Sequence, residues 1–489
     1  MNKKNFIIKS LLGVLTALIF SVPVFAIEDH DEHAELFHSK TVSDGTVLSV
    51  KDCVALAYKN SPIIKRKKYE LDIAKSNVGI AKSGYFPVIG AGVGFNYERN
   101  SDSVYYDKRY RDLPYVGVTV NQLVYDFGKT NADIKMEKFY EIGAEFEFVD
   151  SLCHTLFDIK AKYYNLLRKS ALLFLAKKDV ELNREIVKIS KGKADLTTAE
   201  VYSTDAEIKL IEAEKEFNNA KYNLSNTMYL DNHINYLVQN TPTFDYDIDE
   251  DLAAKDFKPF KFSFKKEDAP EIAYKNSPDL QVIINTKNAM EQALKHTKRS
   301  FMPDLTAGAG YGLNNTYQTT NNNLRVGVGL STDVNIKGLK HSIDVAKSEV
   351  DIADNEIILF KKDLYYEVQR ALNNLDRTQE QLPSARKEVV QALKNLNFIK
   401  NAYKTKELDY TALQNARKDY INAQERYISS LYDYNMAVIQ IEMAMHYHIA
   451  DIQHDEDHTL HHHIEELIEN YNEMISEDKK HSKKKKGIR

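Results

Sequence analysis

Histidines and carboxylates crowd both ends of the chain, and together they are the donors a transition metal takes. His30, His33 and His38 lie near one end with Asp29 and Asp31; His446, His448, His454, His458, His461, His462, His463 and His481 lie near the other with Asp455 and Asp457. Imidazole nitrogen with carboxylate oxygen suits Zn²⁺, Ni²⁺ or Cu²⁺. His454, His458, His461, His462, His463, His30 and His33 are therefore the candidate ligands, and a transition metal is the one candidate cofactor. A solvated tail of biased composition accounts for the same residues. Cys53 and Cys153 are the only cysteines, and in an oxidising compartment they form a candidate disulfide; two small core residues are the plainer reading. No Ser/His/Asp order, phosphate loop or fixed carboxylate pair points to catalysis, so no enzyme is expected.

The elements that position these residues begin with an export signal. Lys3, Lys4 and Lys9 precede an apolar run from Leu11 to Phe20 and then Val24-Phe25-Ala26, so residues 1–26 read as a secretory signal peptide. A histidine- and acid-rich segment, 27–49, follows. Beyond it there is no run of about 18 apolar residues, so any crossing of lipid must use strands. The net charge of −5, with 28% charged residues of mixed sign, gives no case for nucleic acid as a partner. Only 18 Gly and 10 Pro in 489 residues argue for long uninterrupted helices.

The segment Ala57-Tyr58-Lys59-Asn60-Ser61-Pro62 recurs unchanged as Ala273-Tyr274-Lys275-Asn276-Ser277-Pro278, a shift of 216 positions. The chain is thus a tandem duplication, with copies at 50–236 and 269–445, an intervening link at 237–268, and a His- and Lys-rich tail at 446–489 whose basic end is expected to be disordered. Each copy reads as helix, two strands, long helix, turn and returning helix. The first helix runs from about Val50 to Ser83, reset at Ser61-Pro62 by an N-cap before proline.

Copy 1 places strands at about 85–97 and 115–126, a long helix at about 129–191 and a returning helix at about 198–236. Copy 2 places strands at about 303–314 and 324–336, with helices at about 341–403 and 408–445. Ile89, Ala91, Val93, Phe95 and Tyr97 alternate with glycines and Asn96, and Leu305, Ala307, Ala309, Tyr311 and Leu313 alternate likewise. This period of two suits strands facing lipid, with Ile89, Val93, Phe95, Leu305, Ala309 and Tyr311 on the lipid side. Polar loops, Arg99 to Pro114 and Asn315 to Asn323, join the pairs.

Four strands cannot stand alone in hydrocarbon, because each unpaired edge group costs several kcal/mol. Copies of the chain must therefore complete a barrel: two would give eight strands filled by side chains, three would give twelve and a lumen. The long helices, roughly 60 residues or about 90 Å each, need neighbours to pack against as coiled coils. Ala199, Ala206, Ala213 and Ala220, with Ala416 and Ala423, mark close-packed seams at heptad spacing, and Pro383 is expected to kink the second long helix.

The chain resembles the TolC family of outer-membrane efflux proteins over essentially its whole mature length. Val120-Asn121-Gln122-Leu123-Val124-Tyr125-Asp126-Phe127-Gly128-Lys129 is similar to the family's strand-to-helix junction, centred on Phe127 and Gly128. Ala161-Lys162-Tyr163-Tyr164-Asn165-Leu166-Leu167 resembles its long-helix signature, and Tyr403 with Leu408-Asp409-Tyr410-Thr411-Ala412-Leu413 resembles its inner tip. The resemblance implies a homotrimer with a twelve-strand barrel in the outer membrane and a coiled-coil helical tunnel in the periplasm. It also implies two partners, a periplasmic adaptor and an inner-membrane pump of the RND, ABC or MFS type. It implies a passive exit duct for drugs, metals or other small molecules, and makes Gly192, Asp195, Leu196, Tyr403, Lys406, Leu408 and Asp409 the tip, gate or adaptor residues.

Departures from the family pattern are Asn397 and Lys400, where many relatives carry acids, and Lys406, where glycine is common. The stretch Gly192 to Glu207 is more like that of type I protein-secretion ducts, so polypeptide export stands as an alternative cargo. A periplasmic structural coiled-coil protein is the alternative of another class.

Overall fold

The computed structural model of the chain describes residues 42, 45–98, 111–190, 193–230, 235–239, 265–316, 319–332, 335–405 and 407–446. Copy 1 comprises α1 (Val50–Asn60), α2 (Pro62–Ser83), β2 (Val88–Glu98), β3 (Arg111–Tyr125), α3 (Lys129–Ile189) and α4 (Lys193–Thr227). Copy 2 repeats that order as α5 (Ala269–Asn276), α6 (Pro278–Arg299), β5 (Asp304–Thr316), β6 (Thr319–Ser331), α7 (Ile336–Lys404) and α8 (Tyr410–Met445). Two short strands, β1 (Val47–Leu48) before α1 and β4 (Leu237–Val238) between the copies, pair in parallel. A 3₁₀ turn, Lys266–Asp268, leads into α5.

The duplicated hexapeptide does the same physical work twice. Ser61 and Ser277 end one helix and cap the next, each accepting a hydrogen bond from the backbone N–H three residues on, Ile64 and Leu280. Pro62 and Pro278 then occupy the first helical position, where a missing N–H costs nothing. The Tyr58 hydroxyl donates to the Leu152 carbonyl of α3 at 2.9 Å, and the Tyr274 hydroxyl to the Lys361 carbonyl of α7 at 3.0 Å. In each copy the first helix is thereby tied to the long helix that follows the hairpin.

Helices α3 and α7, of 61 and 69 residues, are about 90 and 100 Å long at 1.5 Å per residue. Each packs along a returning helix, α3 on α4 and α7 on α8, while α3 also packs on α2, α6 and α8. Ala199, Ala206, Ala220, Ala416 and Ala423 are buried on the returning helices. The main core runs between the helices through Tyr163, Leu166, Leu224, Leu375, Leu413 and Ile441. Tyr163 is fully buried, and its hydroxyl donates to the carbonyls of Leu48 and Gln239, fixing the β1/β4 pair against α3.

Several sequence expectations differ from what is found. The residues from Thr319 to Asn323 belong to β6 rather than to a loop, because the Asn-rich run joins the ladder: Asn314 opposes Asn321 and Gly312 opposes Asn323. The strand ends at Ser331 and α7 starts at Ile336, since the Asn335 side chain caps it by accepting from the Gly338 N–H at 3.1 Å. Helix α4 ends at Thr227, not 236; Tyr229 has a positive φ of 53°, and the chain turns toward β4. Helix α7 passes through Pro383 as one continuous helix.

The two cysteines are free thiols, which corrects the candidate disulfide. Cys53 packs with Leu48, Ala57 and Tyr163, whereas Cys153 packs in a separate cluster with Val149, Phe157 and Ile439. Burial, the larger cause, and a neighbouring aspartate push both thiols up to about 12.

Candidate functional site

Three places along the molecule carry the candidate residues: the sheet, the junction beneath it and the far tip of the helices. The sheet is a single antiparallel layer in the order β2-β3-β5-β6, with β2 and β6 at its edges. Ile89 opposes Val120, Ala91 opposes Val118 and Val93 opposes Val116. Those β3 residues oppose Ala309, Tyr311 and Leu313 in turn, and Ala309 and Tyr311 oppose Val326 and Leu324. Directly opposed residues share a face, so one apolar face crosses all four strands. The reverse face is built from Gly90, Gly92, Gly117, Thr119, Gly310 and Arg325.

That apolar face is uncovered within the chain. Ile89 is 72% exposed, Val93 57% and Val326 77%; Tyr311 and Ala309 are also exposed, and Leu305 is partly buried. Phe95 lies on the same face by register, opposite Pro114, with its side chain outside the described residues. No helix among the described residues is long and apolar enough to cross a membrane.

At the junction the chain turns from β3 into α3 through two residues in the left-handed region, Phe127 at φ 58° and Gly128 at φ 85°. Glycine suits position 128 because of that φ; an added Cβ would also sit 2.8 Å from Nη1 at the flexible end of Arg299, which donates to the Gly128 carbonyl at 3.0 Å. Asp126, 3% exposed, accepts from the backbone N–H groups of Gly128 and Thr130. Burial pushes its carboxyl up, but these bonds and the charge of Lys129 outweigh burial and hold it below the usual carboxylate range. Lys129 reaches copy 2, with its Nζ 2.7 Å from Asp304 Oδ1 and donating to the Met302 carbonyl at 3.0 Å.

Asp126→Ala is expected to destabilise the protein by about 1–2 kcal/mol, the loss of a strong cap. A carboxyl with a depressed folded pKa contributes stability above its unfolded value, near 4, and loses it as pH falls through the folded value. The stability gap between wild type and Asp126→Asn, followed by helix melting, should therefore be level at neutral pH and close only in acid.

At the far end, the Tyr403 hydroxyl donates to Asp195 Oδ2 at 3.2 Å, joining the two helical hairpins. Tyr403 is buried and meets Tyr410 edge to face, with ring centroids 6.2 Å apart. Asp409 caps α8 by accepting from the Ala412 N–H at 2.9 Å. Leu196 and Leu408 are exposed at the tip, while Gly192 and Lys406 lie outside the described residues. Tyr403→Phe should cost about 0.5–1.5 kcal/mol, one hydrogen bond, with assembly unaffected; a reduced yield of assembled particle would contradict that separation of roles.

Just above the tip is a polar chain that sequence reasoning missed. Arg417 on α8 and Asp179 on α3, each 5% exposed, form a buried ion pair. Arg417 Nε also donates to Gln414 at 3.0 Å, and Gln414 to the Tyr410 hydroxyl. Lys400 and Glu185 pair at 2.8 Å nearby. A cleft of about 280 Å³ opens here between α3, α7 and α8, lined by Lys178, Leu182, Leu396, Lys400, Arg417 and Tyr420 among others. The histidines proposed as metal ligands from sequence, His30, His33, His454, His458, His461, His462 and His463, lie outside the described residues.

Residues 269–445 match the family model described as outer membrane efflux protein. Solved channels share the fold at low identity. The CmeC outer membrane channel of Campylobacter jejuni aligns at a TM-score of 0.70 and 15% identity, over 88% of this chain and 94% of that one. VceC of Vibrio cholerae aligns at 0.66 and 14%, over 81% and 95%, and the open state of the Neisseria gonorrhoeae MtrE channel at 0.67 and 12%, over 81% and 89%. Comparison with curated protein sequences gave no match.

Proposed function

We propose that this chain, a member of the outer membrane efflux protein family through its residues 269–445, is one protomer of a trimeric outer-membrane duct through which an inner-membrane pump, joined by a periplasmic adaptor, expels its cargo. The observation that carries this reading is the sheet with two open edges and one uninterrupted apolar face. Strands of 11 to 15 residues reach or exceed the roughly 9–11 needed to cross the hydrocarbon at a tilt. Open edges are not tolerated there, so β6 of one copy pairs with β2 of the next. Two copies would enclose an interior filled by side chains, and three leave a lumen.

Below the barrel, the paired helices of three chains form a tunnel whose closed end is held by contacts such as Tyr403 to Asp195. The duct is a passive conduit: the pump supplies energy and selects drugs, metals or other small molecules. Conductance in a planar bilayer tests this. Low conductance at rest that rises for Tyr403→Phe combined with Asp195→Ala is expected; a preparation that inserts yet never conducts, in either form, would sink the conduit reading.

A further inference from the structure

Most buried carboxylates here have a cation or several N–H donors: Asp179 has Arg417, Glu442 has Lys160 at 2.8 Å, and Asp126 has two backbone donors. One group departs from this pattern. Asp150 and His154, one turn apart on α3, meet Asp279 in the first turn of α6, and one ligand atom from each lies within 4.8 Å of the others. His154 Nε2 stands 3.5 Å from Asp150 Oδ2, too far for a hydrogen bond, and Asp150 Oδ1 is buried without a partner. Two carboxylates thus stand together beside an imidazole, and Lys67, whose charge acts on Asp150, is shared with Glu70 and Glu147.

Zinc bound by nitrogen and oxygen at about 2.0–2.2 Å in a tetrahedron separates its ligand atoms by about 3.4 Å. The spacing of His154 and Asp150 already matches that edge, and His154 is half exposed, leaving a path from solvent.

We propose that Asp150, His154 and Asp279 form a site for a divalent transition metal of the zinc class. The metal would clamp α3 of copy 1 to α6 of copy 2. This site is distinct from the tail, and it does not depend on what the duct exports.

The test uses the full chain in detergent with Zn²⁺ and Co²⁺ alone. Wild type should melt several degrees higher with Zn²⁺, because a clamp across two helices stabilises the folded state, and Co²⁺ should give the visible absorption of a four-coordinate site. Asp279→Asn and His154→Ala should each abolish the melting shift and the Co²⁺ band, while calorimetry shows one fewer Zn²⁺ per chain than wild type. A wild type whose melting is unmoved by Zn²⁺, or a shift undiminished in both variants, would overturn the proposal, the second result assigning the metal to the tail.

Discussion

Lysine at Val93 is expected to cut the yield of assembled particle sharply, because a charge near mid-bilayer on a barrel strand costs about 2–4 kcal/mol in each copy. Val93 sits at the middle of β2, 57% exposed, on the face it shares with Val116, Val118 and Tyr311. Ala309→Lys, opposite Val120 and Val326 on the same face, should behave alike. The informative control is one residue away. Gly92 points to the reverse face, and a Cβ there meets nothing within 4 Å, so Gly92→Lys projects into the proposed lumen and should assemble much better than Val93→Lys. Equal yields of the two in detergent extracts of the membrane would contradict the assignment of faces.

The second large effect is expected above the tip. Asp179→Ala leaves the Arg417 guanidinium buried without its anion, which typically costs about 3–5 kcal/mol. Removing both partners should cost much less than the sum of the single losses, because no charge is then stranded; a double-mutant cycle read by denaturant unfolding of the helices checks this. Additive losses would mean that the pair is not coupled. Asp179 also accepts from Asn183 Nδ2 at 3.4 Å, so Asp179→Asn is a milder variant that keeps the shape and removes only the charge.

What could be read from sequence was what short-range chemistry determines. The hexapeptide at Ala57 and Ala273 announces both the duplication and a helix break, because a serine cap followed by proline is a local instruction. The alternation from Ile89 to Phe95 gives the face of β2, and the φ of 85° at Gly128 explains why glycine stands at the end of the strand. Contacts between distant parts were not legible. Lys129 with Asp304, Arg299 with Gly128 and Asp179 with Arg417 join residues more than 170 positions apart, and nothing local marks them as partners. Boundaries slipped where polar residues satisfy a ladder, as at Thr319 to Asn323, or where one side chain caps a helix early, as Asn335 does. The cysteines show the same limit, since an oxidising compartment does not say which cluster each thiol packs into.

The claim on which everything else rests is that this sheet is one third of a barrel. The mass of the detergent-extracted particle, measured by light scattering with the detergent contribution subtracted, tests it most directly. Three chains per particle are expected, stable to dilution because each shares both sheet edges with its neighbours. A particle of one chain that stays in solution after the detergent is removed would contradict it, since the apolar face from Ile89 to Val326 would then have no lipid to meet.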